Sequence, residues 1–131
     1  MKRNALGALL ALFYLSLIVA PAFAHHAITS EFDPSKSFTI TGVLTRLEWT
    51  NPHSYFFVTV KEDGKDVEYM FEGYPPVALH RAGITKADWK IGETVTVTAV
   101  APKDGSKKLG FARTIKYASD GHVLVFRNAG E

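Results

Sequence analysis

The sequence predicts an all-β fold class: a small OB-like Greek-key barrel of five to six strands, with one short helix between strands three and four. Two observations predict the strands, because apolar and polar residues alternate along several short segments and glycine-containing turns separate those segments. A third observation predicts the barrel, since one helix-length segment interrupts the strands after the third, as it does in OB folds.

The first strand is predicted over about residues 38–49, and the segment before it is predicted to be a polar lead-in. Phe38 and Ile40 alternate on one face, and after Gly42 the apolar positions change phase to Val43 and later odd-numbered residues. A glycine at such a change of phase indicates a β-bulge, which lets a long strand coil.

The second strand is predicted over about residues 54–61 from a second alternating pattern. Phe56 and Val58 face one side of this strand, whereas Tyr55 and Phe57 face the other. We therefore expect the first pair in the barrel core and the second pair on the outer surface.

Turn and cap signals define the remaining elements. Gly64 accepts a positive φ at no steric cost, so the turn Glu62–Lys65 predicts a hairpin into the third strand. The segment Pro75–Gly83 predicts a short helix with proline at its start and glycine past its end, and Thr85–Trp89 predicts a further capped turn. The strands predicted after the second cover about residues 67–72, 94–100, 111–117 and 123–126.

The first 24 residues are predicted to be a cleavable signal peptide, and residues 25–131 to be the OB-like β-barrel domain. Lys2 and Arg3 give a positive start, residues 5–20 form an apolar run, and Ala22-Phe23-Ala24 is an A-x-A cleavage signature. The apolar run is shorter than the roughly 20 residues that span a bilayer. We therefore expect a periplasmic or secreted protein with no membrane association after cleavage.

Charge and cysteine content exclude several function classes. Removal of Lys2 and Arg3 from the 15 basic residues leaves 13, which equals the number of acidic residues. A neutral domain lacks the unopposed basic residues that nucleic-acid binding needs, so no nucleic-acid partner is expected. The absence of cysteine excludes disulfides, thiol catalysis and Cys-based metal sites.

The first candidate site is the new N-terminus, His25-His26, that cleavage after Ala24 would create. An N-terminal histidine can chelate a metal through its α-amine and its ring nitrogen together, and such nitrogen ligands suit Cu(II). His53 lies in the predicted loop between strands one and two and is the best-placed third donor. The predicted metal ligands are therefore His25, His26 and His53, with Cu(II) as the candidate cofactor. The alternative is a flexible polar start with no role in metal binding.

The second candidate site is the loop around Asn51-Pro52-His53 with its neighbouring aromatic residues. Asn51 can both donate and accept hydrogen bonds, and exposed Tyr55 and Phe57 would offer rings of the kind that stack on bases or sugars in OB barrels. The alternative is architectural, with Trp49 closing the barrel end. The predicted ligand-binding residues are Trp49, Asn51, Tyr55, Phe57 and Glu72.

Glu72 belongs to this set because a carboxylate commonly orients a metal-bound histidine, here His53. Glu48, Glu72 and His53 could also form an acid–base cluster, which would be the basis of an enzyme. No serine lies in a G-x-S-x-G context. His122 is expected to be exposed to solvent, and His80 either to lie on the surface or to contribute to packing. The sequence therefore predicts a protein that is not an enzyme.

Several segments resemble a family of small secreted bacterial proteins known as a domain of unknown function. The most specific segment is Trp49-Thr50-Asn51-Pro52-His53, and the next is the His25-His26 start after the signal peptide. The resemblance implies export and a small β domain, and it implies no activity. The other similar segments are Glu31-Phe32-Asp33-Pro34, Thr41-Gly42, Phe71-Glu72-Gly73-Tyr74-Pro75-Pro76 and Lys103-Asp104-Gly105-Ser106.

These features together predict an exported, non-enzymatic binding protein whose ligand the sequence does not identify, and the first candidate ligand is a metal, copper, bound through the mature N-terminal histidines. One alternative is a module that binds a peptide, a glycan or a partner protein on the aromatic barrel face. A second alternative is an enzyme with a His/Glu acid–base cluster. The expected partners are an unknown small ligand, a metal ion or an extracytoplasmic protein.

Overall fold

The computed structural model describes residues 28–127. Contacts within the chain divide it into two units, residues 1–31 and residues 32–131, and the fold described below is that of the second unit. The predicted signal peptide, His25 and His26 lie outside the described residues. Within residues 28–127, no helix has both the length and the hydrophobicity of a membrane-crossing segment.

Six strands and two short helical segments follow one another in the predicted order. Helix α1 (Pro76–Arg81) lies between the third and fourth strands, and a 3-10 helix (Lys86–Asp88) follows it. Each strand lies within a few residues of its predicted position, apart from the earlier start of the first. The strands are β1 (Phe32–Glu48), β2 (Ser54–Glu62), β3 (Lys65–Gly73), β4 (Thr94–Pro102), β5 (Leu109–Tyr117) and β6 (Val123–Val125).

The strands close into a ring, which confirms the predicted all-β, OB-like barrel. β1 pairs in antiparallel fashion with β2 on one edge and with β4 on the other, β2 continues to β3, and β4 continues to β5. β3 and β5 then pair in parallel through Met70–Glu72 and Leu109–Phe111, which completes the ring. β6 extends the sheet beyond β5.

Stacked aromatic rings fill the barrel interior. Phe56 and Phe71 are fully buried and stack with their ring centroids 5.1 Å apart. Phe56 also contacts Trp89 at 5.1 Å and Phe126 at 5.9 Å, so residues from distant parts of the chain meet around one ring. Large aromatic side chains contribute a large share of core burial in a domain of this size.

The predicted start of the first strand is wrong, because β1 begins at Phe32 and not near residue 38. Phe32 is only 3% exposed and packs against Phe111 with ring centroids 5.6 Å apart. The intervening residues are mostly exposed and include no large apolar side chain, so their sequence contains no alternating apolar pattern that would predict a strand.

The predicted position of the bulge is also wrong. The register of β1 against β2 shifts between Leu44 and Arg46, beyond Gly42, so Leu44 is fully buried whereas Val43 is 39% exposed. Gly42 has a different role, because a Cβ atom at this position would lie 2.3 Å from the carbonyl oxygen of Thr59. The glycine therefore permits the close approach of β1 to β2, and the added residue of the bulge comes later.

Candidate functional site

The loop between β1 and β2 carries most of the predicted site residues. The Asn51–Pro52 peptide bond is cis, and both residues are exposed. The hydroxyl of Thr50 donates a hydrogen bond of 3.1 Å to the carbonyl oxygen of His53, which closes the loop. His53 then leads directly into β2, so its position is set by the sheet as well as by the loop.

His53 and Glu72 form a side-chain pair at this end of the barrel. The antiparallel register of β2 and β3 places Tyr55 opposite Glu72, and His53 precedes Tyr55 by two residues. Side chains two residues apart share a face of a strand, so His53 and Glu72 are diagonal neighbours. The Nδ1–H of His53 donates to Oε1 of Glu72. The structure thus brings together the two residues that the sequence analysis had paired.

The two partners differ in their access to solvent. Glu72 is buried, with 7% of its surface exposed, whereas the side chain of His53 is 23% exposed. A buried carboxylate needs a polar partner, and the imidazole provides one. Because Nδ1 is directed to Glu72, Nε2 is the ring nitrogen that remains to act as a donor atom towards a ligand.

The prediction that Phe57 is exposed is wrong. Only 6% of its surface is accessible, because the guanidinium group of Arg46 lies 3.7 Å from the centre of its ring. Arg46 is held there by Glu48 at 3.2 Å and by Glu68 at 3.8 Å. Tyr55 is half-buried rather than exposed. The outer face of β2 therefore lacks the pair of accessible rings that ring stacking would need.

Trp49 directly follows β1 and packs edge-on against Trp89, with ring centroids 6.3 Å apart. Trp89 in turn contacts Phe56 and Phe126 in the core. Trp49 is half-buried, so one side of its ring contacts the core while the rest of its surface stays accessible. Trp49 and Asn51 thus flank the same loop as His53.

The described residues do not form a complete metal site on their own. Within residues 28–127, no group of three or more histidine or acidic side chains is arranged to hold a metal ion. His80 on α1 and His122 after β5 are both exposed, which for His122 is as predicted. The predicted ligands His25 and His26 lie outside the described residues.

Sequence reasoning missed two residues that shape this part of the barrel, Arg46 and Trp89. Arg46 faces Phe57 only because the register of β1 and β2 shifts just before it. Trp89 reaches the β1–β2 loop from the segment that follows α1. Neither contact has a local pattern in the sequence, since both join residues that are distant along the chain.

Comparisons with known proteins agree with the resemblance noted in the sequence. A family model described as a family of unknown function (DUF6152) matches residues 14–111, which is more than half of the chain. A search of curated proteins finds no match to the chain. The matched region contains the β1–β2 loop with Trp49 and His53, and also Glu72 on β3. The chain therefore belongs to the DUF6152 family of unknown function.

Proposed function

We propose that this protein is exported and binds a metal ion, with Cu(II) favoured, without catalysing a reaction. The proposed ligands are the α-amine and imidazole of His25, the imidazole of His26 and Nε2 of His53. Imidazole and amine nitrogens are ligands that Cu(II) prefers, and Cu(II) is the strongest binder among the divalent first-row metals.

One observation carries the proposal: Glu72 accepts a hydrogen bond from Nδ1 of His53. Metal-binding histidines usually donate their second ring N–H to a carboxylate or carbonyl group, which fixes the ring and strengthens the donor nitrogen. Glu72 is buried, so it holds the imidazole from the protein side while the histidine keeps partial access to solvent.

The length of the N-terminal arm is compatible with a shared site. Phe32 packs against Phe111, and Phe111 is the β5 partner of Glu72 in the strand pairing. Six residues lie between His25 and Phe32, and the chain from one to the other spans at most about 25 Å when extended. The first residue of β1 thus packs against the β5 partner of Glu72.

The experiment is a Cu(II) titration of protein recovered from the periplasm of an expressing bacterium, with a competing chelator and with mass spectrometry of the N-terminus. We expect the mature chain to begin at His25 and to bind one Cu(II). His53→Ala should weaken the affinity at least as much as Glu72→Gln, for which loss of the orienting carboxylate predicts about 10- to 100-fold.

The matched control is His80→Ala, which removes an exposed imidazole from α1 and should leave the affinity unchanged. Thermal unfolding of each variant without metal identifies any loss of folding. A mature chain that retains Ala24, or equal affinities for His53→Ala and the unchanged protein, would refute the proposed ligand set.

The His53–Glu72 pair also favours one alternative, because a carboxylate-bound imidazole is the arrangement of a general base. We rank catalysis below metal binding, because the sequence contains no cysteine nucleophile and no serine in a G-x-S-x-G context. The alternative of a binding face for a peptide, glycan or partner protein ranks lower still, since Phe57 is covered by Arg46.

A further inference from the structure

A second surface feature lies apart from the His53–Glu72 pair, beside the β4–β5 loop. It is an open groove of about 300 Å³, a volume at the lower end of the range for small-molecule sites. Its lining combines four residues with apolar surface and a rim of polar residues from the loop. The lining residues are Phe38, Tyr69, Ala101, Ser106, Lys107, Lys108 and Leu109.

Two aromatic rings are held in place at the floor of the groove. Phe38 and Tyr69 both stack on Phe71, with centroid distances of 6.2 and 6.4 Å, and Phe71 itself is fully buried. Phe38 and Tyr69 are half-buried, so each has one side on the core and some surface facing the groove. Gly110 makes room for the first ring, because a Cβ atom there would lie 2.7 Å from Cζ of Phe38.

The floor also carries an uncharged hydroxyl group. The Tyr69 hydroxyl donates a hydrogen bond of 2.6 Å to Glu62, and this bond raises the pKa of the phenol above its ordinary value. Tyr69 therefore stays protonated at neutral pH. The carboxylate of Glu62 is the acidic group next to the groove floor. The oxygen that accepts this hydrogen bond is occupied by the Tyr69 hydroxyl.

Two lysines stand at the rim, and the loop backbone fixes the position of one of them. The carbonyl oxygen of Lys108 accepts a hydrogen bond of 3.0 Å from the amide of Met70, and Lys108 has a positive φ of 63°. Asp104, the acid in the same loop, accepts hydrogen bonds from Ser106, which lower its pKa. Within residues 28–127, neither Lys107 nor Lys108 forms an ion pair.

We propose that this groove binds a small organic anion that consists of an aromatic ring with one carboxylate or sulfonate group. The aromatic ring would stack on Phe38 and Tyr69, and the anionic group would contact the ammonium groups of Lys107 and Lys108. Charge complementarity selects this ligand class, because two unpaired cations border a floor with mostly apolar surface. The site shares no residue with the proposed metal site.

The test is an NMR titration of the protein recovered after export, with naphthalene-2-sulfonate as the anionic probe and naphthalen-2-ylmethanol as its neutral counterpart. We expect chemical-shift changes from the sulfonate that centre on Phe38, Tyr69 and Leu109. Its dissociation constant should be lower than that of the neutral probe and should rise with salt, because part of the affinity is electrostatic.

The double variant Lys107→Gln/Lys108→Asn tests the contribution of the rim, and asparagine is chosen at 108 because it tolerates a positive φ. The dissociation constant of the sulfonate should rise about fivefold, as expected for two exposed charges worth about 0.5 kcal/mol each. The control Lys86→Gln/Lys116→Gln removes the same charge from exposed positions that do not line the groove, and it should change the constant less than twofold.

Three results would overturn the proposal. The first is equal binding of the neutral and anionic probes, and the second is an unchanged constant in the Lys107/Lys108 variant. The third is a set of shift changes centred elsewhere, for example on the groove beside Ile84 and His122. Copper binding is measured separately on the same variants. The two proposals are therefore tested independently, and one can fail while the other holds.

Discussion

Asp88 shows how a single side chain stabilises a short segment. Its carboxylate accepts a hydrogen bond of 2.6 Å from the amide of Thr85 and one of 2.9 Å from the hydroxyl of the same residue. The Thr85 amide contributes most to lowering the pKa of Asp88 below its ordinary value of 3.8. The ionised carboxylate therefore caps the 3-10 helix that leads into Trp89.

The lowered pKa has a defined consequence for stability against pH. A group whose pKa is lower in the folded state stabilises that state above its unfolded pKa, and this contribution is lost as the pH falls through the folded value. Asp88→Asn should therefore reduce the free energy of unfolding by about 1 kcal/mol at pH 7. As the pH falls through the lowered pKa of Asp88, the variant and the unchanged protein should converge.

Urea unfolding at pH 7, 5 and below 3 measures this difference. Asp66→Asn is the control, since Asp66 is exposed and its ion pair is with Lys61, which is also exposed. A difference between the Asp88 variant and the unchanged protein that stays constant over this pH range would contradict the capping role.

At the scale of elements, the register between strands determines which residues share a face. The pairing of Tyr55 with Glu72 brings His53 to the carboxylate, and the shift between Leu44 and Arg46 brings Arg46 over Phe57. A shift of one residue in a strand moves its side chains to the opposite face. The bulge in β1 therefore determines that Leu44 is buried and that Arg46 covers Phe57 on the outer face of β2.

Gly42 offers a test of the contact between β1 and β2. Gly42→Ala should lower the free energy of unfolding by about 2 kcal/mol, because the added methyl group would meet the Thr59 carbonyl oxygen at 2.3 Å and Val58 at 2.8 Å. Thr39→Ala, at an exposed position on the same strand, should cost less than about 1 kcal/mol. Chemical denaturation measures both, and equal losses would show that the close approach at Gly42 has no special role.

For the barrel as a whole, closure depends on segments that are far apart in the sequence. The parallel pairing of β3 with β5 completes the ring, and Phe126, beyond β6, stacks on Phe56 of β2. Phe126 is 2% exposed although it lies near the end of the described residues. We therefore expect the barrel to unfold in one cooperative transition.

Phe126→Ala tests this expectation. Loss of a buried phenylalanine from a core typically costs about 3–5 kcal/mol, and here the loss should affect the whole barrel through Phe56 and Trp89. Val125→Ala, one residue away and 47% exposed, should cost less than about 1 kcal/mol. Within each variant, circular dichroism and tryptophan fluorescence should report the same unfolding transition. Separate transitions for the two signals would contradict cooperative closure.

Local patterns in the sequence predicted a large part of this structure. Alternation and turn residues predicted the strands, and the position of the helical segment predicted the barrel. The pairing of Glu72 with His53 was also predicted, because a carboxylate commonly orients a metal-bound histidine. The early start of β1 was missed since exposed polar residues separate Phe32 from Phe38, and alternation needs apolar residues at close intervals.

The sequence by itself determined which segments form strands and in what order, because those properties depend on near neighbours along the chain. Tertiary structure decided which side chains meet. Burial of Phe57 depends on Arg46 from another strand, and the groove rim depends on the β4–β5 loop lying beside Tyr69 of β3. Such contacts depend on strand register and on closure of the barrel. Both result from interactions over the whole barrel, so neither produces a local pattern in the sequence.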